Sequence, residues 1–430
     1  MKRTTIALLI LGVALPACAS DDGNDGADGA ELNKPPVGEI SFQLAGDPEE
    51  IVVYESLVES FQNANPDADV KLVPLADKDD HLAKLTTSFT AGNPPDVFLL
   101  NFREYSQFAE TGAIDEIEPR LEELGISVDD YYDPPIDAFT YNGALQCMPQ
   151  NISSLAVYYN KQLFKEAGLD APQEGWSWED FRQTAIALTS GDVRGVGIEP
   201  TIIRLAPFVW SNGGEIVDDP EQPTRFTLDD PAAREALEFF VQLAREDQVI
   251  PTEEEITAAE DLESMFAAGK LGMLLTSRRD TPEFREVTEL KWDVAALPVA
   301  EEQANILHSD AYCVATGSAE PDVAFAFVKY ATGEQGQTIT ALGGRTVPSL
   351  ESVATSGAFL NPAEPPKNSQ VFLDAIDGMR ATPVIPTWPQ IEDITEEFLT
   401  RAFYEEGYTV DDAIQDIEGE TISLFEEGTG

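Results

Sequence analysis

The chain has 430 residues, 43% of them apolar and 24% charged, which excludes a wholly disordered protein and supplies apolar material for two core-bearing lobes. The 79 acidic and 26 basic residues give a net charge of −53, so nucleic acid and anionic lipid surfaces would repel it. Salt relieves such self-repulsion, and the composition predicts a salt-loving or salt-tolerant host.

Lys2 and Arg3 precede a mostly apolar stretch from Ile6 to Leu15, followed by Leu15-Pro16-Ala17-Cys18. A charged start, a short apolar core and small residues before a cut are the features of a secretory signal over residues 1–17, and the run is too short to span a bilayer. Leu-Pro-Ala-Cys resembles the lipobox of bacterial lipoproteins, in which Cys18 is acylated and holds the chain on the membrane surface; Pro16 departs from that pattern. Residues 18–39 then read as a flexible acidic tether. Asp21, Asp22, Asp25, Asp28, Glu31 and Glu39 stand among glycines and Pro35-Pro36, with too few apolar residues to fold.

From Ile40 strand and helix patterns alternate. Ile40 to Leu44 reads as a strand, and Asp47 is placed to cap a helix with Pro48 at its first position and Val53, Leu57 and Phe61 on one face. Val70 to Val73 is a second strand; Leu82, Leu85 and Phe89 make a second helix that ends at Gly92; Val97 to Leu100 is a buried third strand. The expectation is a parallel sheet with right-handed crossovers. Further helices are signalled at Ser177 to Leu188 and Asp230 to Ala244, and Leu271 to Leu275 is a strand of a second sheet running into Thr276-Ser277-Arg278-Arg279. Ligands of such sheets bind beyond the carboxyl ends of the strands, which directs attention to Asp47 and to Asn101, Arg103 and Glu104.

The order of segments resembles the extracellular solute-binding proteins of ABC importers, in particular the maltodextrin-binding-like group serving sugar uptake. The resemblance runs over nearly all of residues 40–425. It is carried by Ala91-Gly92-Asn93-Pro94-Pro95-Asp96-Val97, Met148-Pro149-Gln150-Asn151, Tyr158-Tyr159-Asn160-Lys161 through Gly168-Leu169, and Trp176-Ser177-Trp178-Glu179-Asp180-Phe181. Met265-Phe266-Ala267-Ala268-Gly269-Lys270, Trp292-Asp293-Val294-Ala295-Ala296-Leu297-Pro298 and Gly343-Gly344-Arg345-Thr346-Val347-Pro348-Ser349 complete it. The resemblance implies an α/β, two-lobed periplasmic-binding-protein-like fold that closes about a hinge on a sugar and delivers it to an ABC permease. It also implies a monomer on the extracytoplasmic face of the membrane, with no cofactor, no metal and no nucleic-acid partner. Matching positions put the crossings between lobes near Asn151, near His308-Ser309-Asp310 and near Gly344-Arg345-Thr346. Lobe one is then 40–150 with 311–344, and lobe two 151–310 with 345–430.

Sugar binding needs planar hydrogen-bonding groups and an aromatic face. Asp47, Asn101, Arg103, Glu104, Asn151, Asp310 and Arg345 fall on loops at strand ends or hinges and suit that task. Trp210 is either a stacking face or helix core; Trp388, between Pro386 and Pro389, reads as a loop residue available for stacking. The pair Arg278-Arg279 either binds an anionic group, such as a uronate or glycerol phosphate, or pairs with the abundant acids.

Catalytic signatures are lacking: His81 and His308 are the only histidines, and no nucleophile elbow or zinc-binding His-Glu-x-x-His motif occurs. His81 reads as a surface residue and His308 as one on the cleft rim. The competing classes are a secreted polysaccharide-processing enzyme and a sugar-binding adhesin. Cys147 and Cys313 are either bridged or buried as free thiols on spacing alone. The resemblance sets their strands side by side at the hinge and so implies a bridge.

Overall fold

A computed structural model describes residues 35–429; the signal segment, Cys18 and most of the tether lie outside them. The tether's last residues, Gly38 and Glu39, belong instead to the first strand, β1 (Gly38–Ala45). β1 leads into helix α1 (Pro48–Ala64), then β2 (Ala68–Leu75), α2 (Lys78–Thr90), β3 (Val97–Asn101) and α3 (Phe102–Glu110). Pro48 opens α1 because the first turn leaves its backbone nitrogen unbonded in any case. The Asp77 side chain caps α2 by accepting from the Asp80 amide, and Asn101 caps α3 by accepting from the Arg103 amide. Asp47 occupies the cap position of α1 without capping it, since its carboxylate is engaged elsewhere.

The first sheet runs in the order β2, β1, β3, Asp310–Val314, Met148–Pro149. β1 pairs in parallel with β2 and β3, but Asp310–Val314 pairs antiparallel with β3 and with Met148–Pro149. The sheet is therefore mixed and not wholly parallel, because its last two strands belong to the segments that lead to the second sheet, Met148–Pro149, and return from it, Asp310–Val314. Cys313 lies on one of these two neighbouring strands and Cys147 directly precedes the other, and the two are joined as a disulfide, with Cα atoms 4.5 Å apart.

The second sheet has the order Trp292–Ala295, Leu155–Asn160, Leu271–Ser277, Arg194–Gly197. Every residue of Leu155–Asn160 and Leu271–Ser277 is buried, since apolar layers cover both faces. Alternation sorts them: Ala156, Tyr158 and Leu274 join the core that continues into the first sheet, whereas Leu155, Val157, Met273 and Leu275 face the other way. That second core is closed by helices Ile202–Ser211, Pro231–Arg245, Trp388–Tyr404 and Val410–Gly428.

Three chain segments lie side by side between the sheets. Gln150 donates its amide to the Asp310 carbonyl and Ile152 to the Val347 carbonyl, each at 2.8 Å; Ser153 and His308 exchange two further bonds of 2.8 Å. The third of these segments keeps contacts with the first sheet's side. Arg345 pairs with Asp47 and Glu50, Leu350 bridges to Tyr131, and only from Phe359 onward does the chain pack against Arg278 of the second sheet.

Two further expectations fail on burial. His81 is 3% exposed, inside α2, where its ring bonds the Leu99 carbonyl at 2.9 Å. Trp388 begins a helix instead of sitting on a loop, and it is 0% exposed, because a large ring at an amphipathic helix's inner face is worth more in the core.

Candidate functional site

Beyond the carboxyl end of β1, Arg345 donates from Nη1 to Asp47 Oδ2 and sets its Nε against Glu50 Oε2 as an ion pair, both at 2.9 Å. Burial pushes the Glu50 carboxyl up to about 7, with Asp310 and Asp47 adding to the rise and Arg345 opposing it. Asp310 sits on the middle connecting segment. Its Oδ1 accepts from Asn101 Nδ2 at 3.1 Å and its Oδ2 from Asn151 Nδ2 at 3.3 Å, while its own amide donates to Asn151 Oδ1 at 2.7 Å. Behind it, the buried hydroxyls of Tyr54 and Tyr312 both donate to Gln150 Oε1, at 2.8 and 2.7 Å.

At the start of α3, Arg103 donates from Nε to Asn101 Oδ1 at 3.0 Å and from Nη1 to both carboxylate oxygens of Glu392, at 3.2 and 2.9 Å. Glu392 stands on helix Trp388–Tyr404, so this pair joins the two sheets' sides of the cleft. Glu104 is buried, which raises its carboxyl's pKa, and it pairs with Lys78. From the second sheet's side, Arg279 donates from Nε to Asp280 Oδ1 at 3.0 Å and also lies 3.6 Å from Glu263 Oε1. Burial, Asp280 and Glu199 push Glu263 up to about 7. His308 is held neutral by burial and by the surrounding charges of Arg103, Arg204, Arg279 and Lys78.

Seven residues singled out from the sequence thus gather at one site in neighbouring groups, Asp310 with Asn101, Asn151 and Arg103, Arg345 with Asp47, and Glu104 with Lys78, and Arg279 lies near enough to Glu50 to act on its charge. Three do not face the site. Arg278 is 1% exposed; its guanidinium lies 4.5 Å over the Phe359 ring and 5.5 Å from that of Phe372, and burial lowers its pKa to about 10. It is a core cation. Trp210 is buried beneath Arg380 at 4.8 Å. Trp388 packs near Phe226 and Phe425, and its indole N–H donates to Glu392 Oε1 at 2.6 Å, so it orients a cleft residue without presenting a face to the cleft.

Glu50, Arg204, Glu199, Glu263 and Glu392 reach the site without having been singled out. Arg204 carried a usable signal: it is the one charged residue of Ile202–Ser211, a helix otherwise almost wholly apolar. Each cation named around the cleft has a carboxylate partner: Lys78 with Glu104, Arg103 with Glu392, Arg204 with Glu199, Arg279 with Asp280, Arg345 with Asp47. Among the described residues, no group of three or more His, Cys, Asp or Glu is placed to hold a metal ion, and no helix is long and apolar enough to cross a membrane.

Residues 56–367 match the family model described as Bacterial extracellular solute-binding protein. The chain belongs to this family. Among its relatives, the diacetylchitobiose binding protein DasA of Streptomyces coelicolor is 24% identical over 358 residues, covering 78% of each chain. Among solved structures, the ABC substrate-binding protein Lmo0181 of Listeria monocytogenes, in complex with cycloalternan, superposes with a TM-score of 0.83 at 24% identity, covering 90% of this chain and 99% of that one. UgpB of Mycobacterium tuberculosis, in complex with glycerophosphocholine, gives a TM-score of 0.79 at 20% identity, with 91% and 98% covered. These likenesses establish the two-lobed α/β fold, and family membership places the solute-binding protein outside the cytoplasm.

Proposed function

We propose that this solute-binding protein captures a neutral sugar in the cleft between its lobes and delivers it to the membrane permease of an ABC importer. The observation that carries the reading is the neutralised cleft: its cations are spoken for by carboxylates, while Asp310, Asn101 and Asn151 form a fan of acceptors and donors suited to sugar hydroxyls. An anionic solute loses its best support, since Arg278 is in the core and Arg279 is paired. Diacetylchitobiose and cycloalternan, named for two of the relatives, are neutral saccharides.

On this reading lobe one comprises residues 40–150 with 311–344, and lobe two 151–310 with 345–430. The three connecting segments are the hinge, the chain acts as a monomer, and Cys18 carries the lipid that ties it to the membrane. The cleft binds and does not cleave: oligosaccharides incubated with the protein are returned intact.

A thermal-shift screen against neutral mono-, di- and oligosaccharides, uronates and glycerol phosphates tests the proposal. A neutral sugar should raise the melting temperature, because it binds only the folded state. A screen in which only the acids do so would overturn it.

A further inference from the structure

We propose that Gly344 and Arg285 form the seat on which the closing lobes come to rest, so that a glycine at this point of the hinge sets how tightly a solute is held. This rests on the hinge closure proposed above. Gly344 lies directly before Arg345, whose side chain is tied to Asp47 and Glu50 on the first sheet's side. Its φ is +86°, in the left-handed region that a residue with a Cβ seldom adopts. Arg285 belongs to the other lobe. It stands on the short helix Thr281–Glu286, whose Phe284 packs against Tyr158 and Trp292 of the second sheet with ring centroids 5.7 and 5.8 Å away.

The two residues meet closely. A Cβ on Gly344 would lie 3.2 Å from Arg285 Cζ and 3.9 Å from its Nε, with Nη1 nearer still. Most of the glycines with positive φ, Gly92, Gly112 and Gly125 among them, have no such neighbour within 4 Å and answer only to the turn they make. Arg285 is also held in place. Its Nε donates to the Pro365 carbonyl at 2.7 Å and its Nη1 lies 3.5 Å from Glu364 Oε2, on a stretch that Asn368 fastens to Asp293 and Val294 of the second sheet. A methyl group at position 344 must therefore either pull the guanidinium from Pro365 or stop the lobes short, since close-packed contacts do not absorb an added carbon freely. Arg103 and Glu392 draw the lobes together at the end of β3; Gly344 and Arg285 stop them beyond the end of β1.

A double-mutant cycle on Gly344→Ala and Arg285→Ala tests this, read by small-angle scattering without solute and by calorimetric titration with maltose and with diacetylchitobiose. With Arg285 present, Gly344→Ala should enlarge the radius of gyration and weaken whichever probe wild type binds by about tenfold, because apparent affinity falls with the population of the closed state. In the Arg285→Ala background the same substitution should leave the radius unchanged and affinity within twofold. Both chains with alanine at 344 should melt below their parents, since the strain of a positive φ is common to them, and that shared loss cannot imitate the difference between backgrounds. An equal change in radius and affinity in both backgrounds would overturn the seat, as would a Gly344→Ala chain with wild-type radius and affinity. In either case binding of a probe by wild type leaves the sugar reading standing. Binding of neither probe by wild type counts against the sugar reading, and the four radii still decide the seat.

Discussion

Arg103 and Glu392 meet across the cleft, one guanidinium nitrogen reaching both oxygens of the carboxylate at 3.2 and 2.9 Å, and the indole of Trp388 fixes that carboxylate from behind at 2.6 Å. The two side chains are 13% and 20% exposed, so the bond is partly shielded from water but not deeply buried.

Glu392→Gln should loosen closure. An ion pair of this exposure contributes about 1 kcal/mol, a factor of roughly five in the ratio of closed to open molecules. Small-angle scattering of the unliganded variant should give a larger radius of gyration than wild type. Equal radii would mean that the pair does not hold the lobes together.

Glu50→Gln should show its effect through pH. The Glu50 carboxyl titrates near 7 in the fold against a reference of 4.5, so the folded state holds an extra proton between those values, and its contribution to stability is lost as pH rises through about 7. Glutamine removes that loss. The stability of Glu50→Gln relative to wild type should therefore increase from pH 5 to pH 8, by on the order of 3 kcal/mol. His81 and His308 have lowered pKa values and act with the opposite sign, but they cancel in this difference. Denaturant curves at the two pH values decide it; a constant or shrinking difference contradicts the assignment.

Reducing the bond between Cys147 and Cys313 should destabilise the chain. The sequence separation is 166, a loop long enough that closing it in the unfolded state is worth about 5 kcal/mol in the chain-entropy account. The double variant Cys147→Ser, Cys313→Ser should melt well below the oxidised wild type. Neither cysteine should react with a thiol reagent when the unreduced protein is unfolded.

Added salt should stabilise the protein and leave sugar affinity nearly unchanged. With 79 acidic and 26 basic residues, folding concentrates like charge, and the Debye length falls from about 30 Å at 0.01 M to about 3 Å at 1 M. Melting temperature should rise over that range and then level. A flat or falling curve would contradict a salt-adapted chain, and affinity that weakens with salt would point to an anionic solute.

The elements that could be read from the sequence were those with local causes. The apolar spacing of α1 and α2, Pro48 at a first turn and the positive φ of Gly92 at a helix end all act within a few residues. Asp47, Asn101 and Arg103 could be found because strand ends of such sheets point to a cleft. What escaped depends on distant partners. Trp388 seemed free between two prolines, yet Phe226 and Phe425, far along the chain, bury it. His81 looked exposed at a helix start, but the carbonyl that holds it belongs to Leu99 on a neighbouring strand. Arg278 and Arg279 are adjacent in sequence and end in opposite surroundings, one between phenyl rings and one beside carboxylates. Both follow the end of strand Leu271–Ser277 on a single turn of 3-10 helix, Arg278–Asp280, and no local pattern reveals which side of that turn is packed.

The three hydrogen-bonded segments between the sheets also set what kind of motion the cleft can make. Three strands tied side by side bend readily out of their common plane, but sliding past one another would break the bonds at Gln150, Ile152 and Ser153. On the proposed reading the two walls move like the jaws of a calliper, and the gap between opposite walls is the dimension that varies, with Arg103 and Glu392 meeting when it closes. A solute is gauged by its thickness before any of its hydroxyls is read.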